Sequence, residues 1–519
     1  MFFAGARLIK SAQFYQQQGY EAGGFIRFVF KGLRLVDKRL SLCVFIYAVA
    51  ASGGLYPVLD IFALSVFFII AGIAHKNPFK HSREKKKFVM TMRVWRMWGV
   101  AQALNAFMFI VWIRAAFGAA VGYSLANYVG YLLLIIIMQP VLLVFADMLL
   151  MPVQWLVNLR YTREAERKLR ALNPIIIGIT GSYGKTSTKN ILQHILAALS
   201  TSVATKRSIN TRLGLVRFIR EEVDASHKFV IAEIGAGKPG DISAISRLIG
   251  QKHAILTAVG DMHYAYFKTR DAVAAEKFAI FTPVKAQGGE FIVNALQVAG
   301  EYSDKYVGDY AAVSFLSPES ISDVSVDAAG VHFVLDGERI DAPIYGKYMA
   351  YNIALAVMMA RKLGFALSDI LRALATLPQT SKRQEVVREA GKPIVILDNY
   401  NSNPDGFISA METARAIAGA GRVILVSPGM LELGDKHAEY HRRVAVAAVQ
   451  NVDVLVAVVP DRIRDLTDEF ARLKRDGQEL VEAENSLAAQ EWVAANATPS
   501  DVVLYENDIA DIYEEKISI

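Results

Sequence analysis

The residues best placed to do chemistry lie between positions 174 and 199. Residues 174–180 read PIIIGIT, a β-branched run that predicts a buried strand. Gly181-Ser182-Tyr183-Gly184-Lys185-Thr186-Ser187 follows at once, and TKNILQHILAAL over 188–199 has helical apolar spacing. Strand, glycine loop, Gly-Lys-Thr and helix in that order form a phosphate cradle. The glycines let backbone N–H groups approach phosphate oxygens, and a helix N-terminus favours an anion. Lys185 is expected to neutralise β- and γ-phosphate oxygens, and the Thr186 hydroxyl to ligate Mg²⁺. Ile179 stands where the general P-loop pattern wants a glycine, so the loop is a shortened variant.

The elements that carry this loop sit in a chain of uneven composition. The 519 residues are 53% hydrophobic and 21% charged, with a mean hydropathy of +0.28. About three or four domains are expected from this length, and disorder is excluded as the main state. The formal net charge of +7 divides unevenly. Residues 1–170 hold 21 Lys and Arg against 7 Asp and Glu, a net of +14, which leaves −7 for the rest. The soluble part is mildly acidic, so nucleic-acid binding is not expected. Cys43 is the one cysteine, which excludes an intrachain disulfide and a cysteine zinc site; it reads as a small residue within an apolar span.

The apolar content is clustered at 42–74 and again from Met97 to about Trp155. The first block exceeds one span of about 20 residues, and Gly53-Gly54 and Pro57 divide it into a hairpin. The second divides near Arg114 and Gly118 into spans near 97–113 and 123–144, with Gln139-Pro140 and Asp147 obscuring its end. Four spans are predicted. Lys76, Lys80, Arg83, Lys85, Lys86, Lys87, Arg93 and Arg96 lie between the second and third, which places that loop, both flanks and the soluble domains in the cytoplasm. The N-terminal arm reads as an interfacial amphipathic segment. Asp60 and Arg114 are the charges in or near spans.

From residue 171 strands and helices alternate, with strands predicted at 174–180, 228–233, 253–258, 290–294, 311–316, 331–335, 394–398, 422–427, 453–459 and 501–505. The fold class is therefore α/β. It comprises a helical membrane anchor over 1–160, a P-loop central ATPase domain over 171–378 and a Rossmann-like C-terminal domain over 379–519. Ligands are expected at the carboxyl ends of largely parallel strands.

The sequence Thr-Gly-x-x-Gly-Lys-Thr resembles the Mur ligase family of ATP-dependent amide-forming ligases. AEIG at 232–235 with PGDI at 239–242, AVGDMHYAYF at 258–267, AEK at 275–277, LDNYNSNP at 397–404 and MLELG at 430–434 extend the resemblance over about 171–519. The last two segments are similar to the D-alanyl-D-alanine-adding branch. The resemblance implies ATP, two Mg²⁺ ions and a carboxylate activated as an acyl phosphate before an amine displaces phosphate. It implies Glu233 and His263 as metal ligands and Lys277 as a carbamylated lysine holding the second metal. Asn352 would lie near the base, Arg383 would reach ATP across the domain gap, and Asp398 would contact the ribose. Asn401 and Asn403 fall in the following turn. Asp435 and His437 read equally as a helix cap.

Tyr348 and Met349 stand where His-Asn is usual, a departure that bears on the contacts to the nucleotide base. Two further departures bear on the substrate: Tyr505-Glu506-Asn507-Asp508 stands where Lys-Gly-Ser-Arg is usual, and apolar segments stand where relatives carry a uridine-nucleotide-binding domain. The expected partners are a small-molecule or lipid-linked carboxylate, an amino-acid or dipeptide amine, and membrane lipids. Peptidoglycan-type dipeptide addition, poly-γ-glutamate-type synthesis and modification of a lipid-linked precursor all stay open. So do a membrane transport ATPase and a degenerate nucleotide-binding scaffold.

Overall fold

The computed structural model describes residues 2–17, 20–30, 88–118, 125–260, 267, 269–398, 403–430 and 433–507. Its chain divides into a first unit that includes residues up to Val157 and a second unit over Asn158–Ile509.

The first unit is helical. Helices Phe2–Gln17, Ala22–Phe30 and Met92–Gly118 pack with the early part of Leu125–Leu172 around Leu8, Tyr15, Phe25, Met97 and Leu143. The N-terminal arm contributes Leu8, Ala12, Phe14 and Tyr15 to this core. Its anchor is polar: Tyr15 donates to Asp147 at 2.9 Å, and Arg93 holds the same carboxylate with two nitrogens. Asn105 and Gln139 exchange amide hydrogen bonds at 3.0 and 3.1 Å in the buried seam.

Among the described residues, two segments, Met92–Trp112 and Met138–Leu172, are long and apolar enough to cross a membrane by length and composition. The second belongs to helix Leu125–Leu172, which also takes in most of the expected span near 123–144. The helix runs unbroken for 48 residues through Pro140 and Pro152, and residues 160–170 belong to it. Leu, Ala, Met, Arg and Glu, all good helix formers, make up about half of that helix, and they outweigh the two prolines. The hairpin expected at 42–74, with Cys43 and Asp60, lies outside the described residues, as do Lys76 to Lys87.

The second unit holds three sheets. In the first, β1 (Ile175–Thr180), β2 (Ser202–Ala204), β3 (Phe229–Glu233), β4 (His253–Leu256), β5 (Phe291–Asn294) and β6 (Val313–Leu316) run parallel in the order β2-β3-β1-β4-β5-β6. β1 lies between β3 and β4, so the chain leaves its carboxyl end at the point where connections pass to either side. That is where open parallel sheets bind ligands. β1 is nearly continuous isoleucine because helices cover both faces. Helix Lys185–Leu199 buries Ile191, Leu192, Ile195 and Leu196 against one of them.

An antiparallel sheet of β7 (Ile321–Val326), β8 (Val331–Leu335) and β9 (Glu338–Ala342) follows. The third sheet orders β10 (Glu385–Val387), β11 (Ile394–Asp398), β12 (Val423–Ser427), β13 (Val454–Val458), β14 (Glu479–Ala483) and β15 (Val502–Glu506) as β10-β11-β15-β12-β13-β14. Only β10 is antiparallel within it.

Candidate active site

The loop after β1 is shaped by its glycines. Gly181 has φ +151°, and a Cβ there would lie 2.1 Å from Thr257 Oγ1 and 2.8 Å from the Ala258 nitrogen. Gly184, at φ +81°, caps helix Lys185–Leu199, and a Cβ there would lie 2.5 Å from Asn352 Oδ1. Ser182 ties the loop to the segment after β4, with its N–H on the Ala258 carbonyl and its hydroxyl accepting from Gly260 N–H. Lys185 folds back over the loop and donates to the Gly181 and Ser182 carbonyls at 2.6 and 3.0 Å. Burial pulls its ammonium down to about 8, against the opposing pull of Glu233.

Glu233 ends β3 beside Ile179 of β1 and is buried, not the solvated strand end that a lone carboxylate there would be. Thr186 donates to its Oε2 at 2.9 Å and Asn210 to its Oε1 at 3.0 Å. Lys189, fully buried, reaches the same Oε2 and also donates to the Arg207 carbonyl. Lys277 is 4% exposed, where a lysine on a surface helix would be solvated. Burial and the nearby Lys185 charge push its amine down to about 7. Its neighbour Glu276 accepts from the Gly240 and Ile242 N–H groups at 2.7 Å each, fixing this helix against the N-terminus of helix Asp241–Ile249.

Lys185, Thr186, Glu233, Lys277, Arg383 and Asn403 all line one cleft of about 450 Å³. Tyr183, Ser187, Asn352, Arg383 and Asp398 line a smaller adjoining cavity with Tyr348, Tyr351 and Glu506. Asn352 accepts from Thr188 at 3.1 Å and so buttresses the phosphate loop from beneath. Asp398 pairs in register with Glu506, and burial lifts its carboxyl to about 6 against the pull of Arg383. Asn403 caps helix Pro404–Ala418 by accepting from Gly406 N–H. Asp435 caps nothing: the residue before helix His437–Asn451 is Lys436, with no side-chain cap bond, and His437 contacts the Arg462 carbonyl. His263 and Asn401 lie outside the described residues. Lys189 and Asn210 escape a motif reading; the available signal is Lys189 one helical turn beyond Lys185, on the same face.

The residues present fit a nucleoside triphosphate with a divalent cation. The glycine cradle closes sterically against any side chain at 181, and a buried carboxylate bonded to a threonine hydroxyl is a hard-oxygen donor pair suited to Mg²⁺.

Comparison with known proteins gives this geometry a family. The family model described as the Mur ligase middle domain matches residues 179–360, and that of the Mur ligase glutamate ligase domain matches 382–505. The UDP-N-acetylmuramoyl-tripeptide–D-alanyl-D-alanine ligase of Mycobacterium leprae is 30% identical, over 63% of this chain and 70% of its own. The chain belongs to the Mur ligase family. The ligase of that name from Bacillus subtilis is 28% identical over 56% of this chain and 64% of its own, so the chain spans about two thirds of these relatives. Among solved structures, MurF from Thermotoga maritima in complex with ADP superposes with a TM-score of 0.59 at 22% identity, over 69% of this chain and 82% of that one. MurF from Acinetobacter baumannii gives 0.57 at 20%, over 68% and 77%. Both likenesses extend the Mur ligase fold across the two parallel-sheet domains.

Proposed function

We propose that this Mur ligase family chain is an ATP-dependent amide ligase. It joins a carboxylate substrate to an amino acid or dipeptide, in the manner of D-alanyl-D-alanine addition during peptidoglycan precursor synthesis. The observation that carries this reading is the gathering of Lys185, Thr186, Glu233, Lys277 and Arg383 around one cleft. Amide formation from a carboxylate needs the γ-phosphoryl group moved onto the acid, and then an amine to displace phosphate. Both steps crowd anions together, so fixed cations are required. Lys185 and Arg383 supply them from opposite domains. Thr186 and Glu233 would hold Mg²⁺, which screens phosphate charge when bound. Lys277, whose amine burial pulls down to about 7, is about half uncharged at neutrality, which suits it to carbamylation, and it would then add a carboxylate to the cleft. His263 completes the proposed ligand set.

The chain is further proposed to work at the cytoplasmic face of the inner membrane, on a carboxylate that is lipid-linked or held near the bilayer. Phe107, Ile110, Phe145, Leu149, Trp155 and Leu156 are exposed on its two longest helices, which supports lipid as their partner. Incubation of the full chain with ATP, UDP-N-acetylmuramoyl tripeptide and D-alanyl-D-alanine tests the reading. ADP and phosphate should form only when acid and amine are both present, and Lys185→Ala should form neither. Hydrolysis independent of both substrates would overturn it. Full turnover of the soluble tripeptide substrate without lipid would overturn the lipid-linked part alone.

A further inference from the structure

A larger cavity, about 830 Å³, adjoins the cleft and shares Thr186, Ser208 and Arg383 with it. One wall is the outer face of helix Lys185–Leu199 with Arg207. The other is the segment 377–384 that leads into β10. Its charge is of one sign. Arg207, Lys382 and Arg383 line it, and among the described lining residues none is Asp or Glu. Neither Arg207 nor Lys382 has an ion pair among the described residues, and both are exposed. His194 is occupied, its Nε2 bonded to the Ala373 carbonyl at 2.9 Å. Ile191, Ala197 and Leu377 supply an apolar floor.

The backbone here is also unusual. Among the described residues nine non-glycine residues have positive φ, and three of them, Arg207 at 50°, Lys382 at 61° and Gln384 at 49°, line this one cavity. Such conformations cost energy and persist where surrounding contacts enforce them, often at ligand clamps. The enforcing contacts are visible. The Arg207 carbonyl is taken by the buried Lys189 ammonium, and the Lys382 N–H by Glu385 at 3.0 Å. Both strained turns thus place a cation on the rim of the same groove. A cleft lined by one sign of charge, with low-dielectric walls, concentrates ions of the other sign.

We propose that this groove seats the anionic body of the carboxylate substrate, leaving its reacting end in the cleft beside Thr186. The ligand class is an extended molecule with apolar portions that carries phosphate or carboxylate charge away from its reacting end. The assignment rests on the ligase reading for the identity of the occupant, and on the groove for its location.

The test is equilibrium binding to the full chain, with UDP-N-acetylmuramoyl tripeptide as probe and ADP as control. Arg207→Glu and Lys382→Glu should each weaken the probe about tenfold or more, while Arg207→Lys and Lys382→Arg retain most of the affinity and ADP binding does not change. The tripeptide freed of its nucleotide separates the two charge sources, and either result supports the groove. If it loses the sensitivity to charge reversal, the groove holds the diphosphate. If it keeps that sensitivity, the groove holds peptide carboxylates. Probe affinity unmoved by both reversals, equal weakening of ADP, or no probe binding by the unaltered protein would each overturn the proposal. Charge-sensitive probe binding without any ADP formation from ATP and D-alanyl-D-alanine, on either the soluble probe or its lipid-linked counterpart, would sink the ligase reading and leave the anion site standing.

Discussion

Lys189 Nζ stands 3.4 Å from Glu233 Oε2, and each side chain is 1% exposed. The pair is desolvated on both sides. Burial pulls the Lys189 ammonium below its ordinary range, and Glu233 pulls it back up. The carboxylate is held at three points, by Thr186 and Lys189 on one oxygen and by Asn210 on the other. Lys189 also holds the Arg207 carbonyl, so one ammonium links the end of β3 to the turn beside the larger groove.

Removing one member of such a pair leaves a buried charge without its counterion. Lys189→Met is expected to destabilise the chain by about 3–5 kcal/mol. The double variant Lys189→Met, Glu233→Gln should recover most of that loss without recovering turnover. Urea unfolding of both variants measures this. A single variant as stable as the parent would show that the pair is solvated.

Gly181→Ala forces a Cβ to within 2.1 Å of Thr257 Oγ1 and 2.8 Å of backbone at Ala258, at a φ of +151°. Backbone cannot move aside as a flexible side-chain tip can. The substitution should abolish nucleotide binding outright. Titration with an ATP analogue reads the outcome, and affinity within about twofold of the parent would contradict the loop geometry.

What was legible in the sequence follows from where each structural cause lies. β1, β3, β4 and β5 read clearly because a doubly covered parallel strand must be apolar along its whole length. β2, β10 and β14 did not, since Ser-Val-Ala, Glu-Val-Val and Glu-Leu-Val-Glu-Ala are short or border solvent and carry no such run. β7 and β9 interleave polar residues because one face of their hairpin sheet is open. Lys185 and Thr186 could be assigned from local order alone. The burial of Lys189 could not: its partner Glu233 comes from a different strand, 44 residues on, and a lysine within a partly polar helix looks solvated. Resemblance pointed to Glu233 and Lys277, but only the packing gave their desolvation. Gln139-Pro140 obscured the end of the last span, because the flanking helix formers carry the helix through that proline and through Pro152 as well.

The apolar side chains exposed on helices Met92–Gly118 and Leu125–Leu172 give the membrane proposal its own check. Trp95 and Trp155 are 52% and 63% exposed. The full chain should float with phospholipid vesicles, and brominated lipid should quench its tryptophan emission. Trp155→Phe should reduce the quenching. A combined Leu149→Gln, Trp155→Gln, Leu156→Gln variant should weaken vesicle association, since each apolar side chain kept from lipid loses about 1.5–3 kcal/mol of transfer energy. Equal flotation of parent and triple variant would remove lipid as the partner of this face.

Lys277 offers a prediction in which stability and chemistry have separate readouts. Its amine titrates at about 7 in the fold against 10.5 when solvated, chiefly because it is buried. Above about pH 10 neither the folded nor the unfolded chain holds this proton, and below about pH 7 both hold it. Between these limits the unfolded chain binds a proton that the folded chain has released. Stability should therefore rise with pH across that window, and the contribution should be lost as pH falls toward 7. Lys185, pulled down to about 8, acts in the same direction over a narrower range. Lys277→Met should flatten the rise seen by urea unfolding between about pH 7 and 10 while keeping the volume filled. An unchanged slope would mean that Lys277 is charged in the fold. The chemistry reads out independently. If Lys277 acts as a carbamate, Lys277→Ala should lose turnover and regain part of it with added short-chain carboxylates, which restore the missing negative oxygens to the cleft. Rescue by short-chain amines instead would assign Lys277 a cationic role beside Lys185.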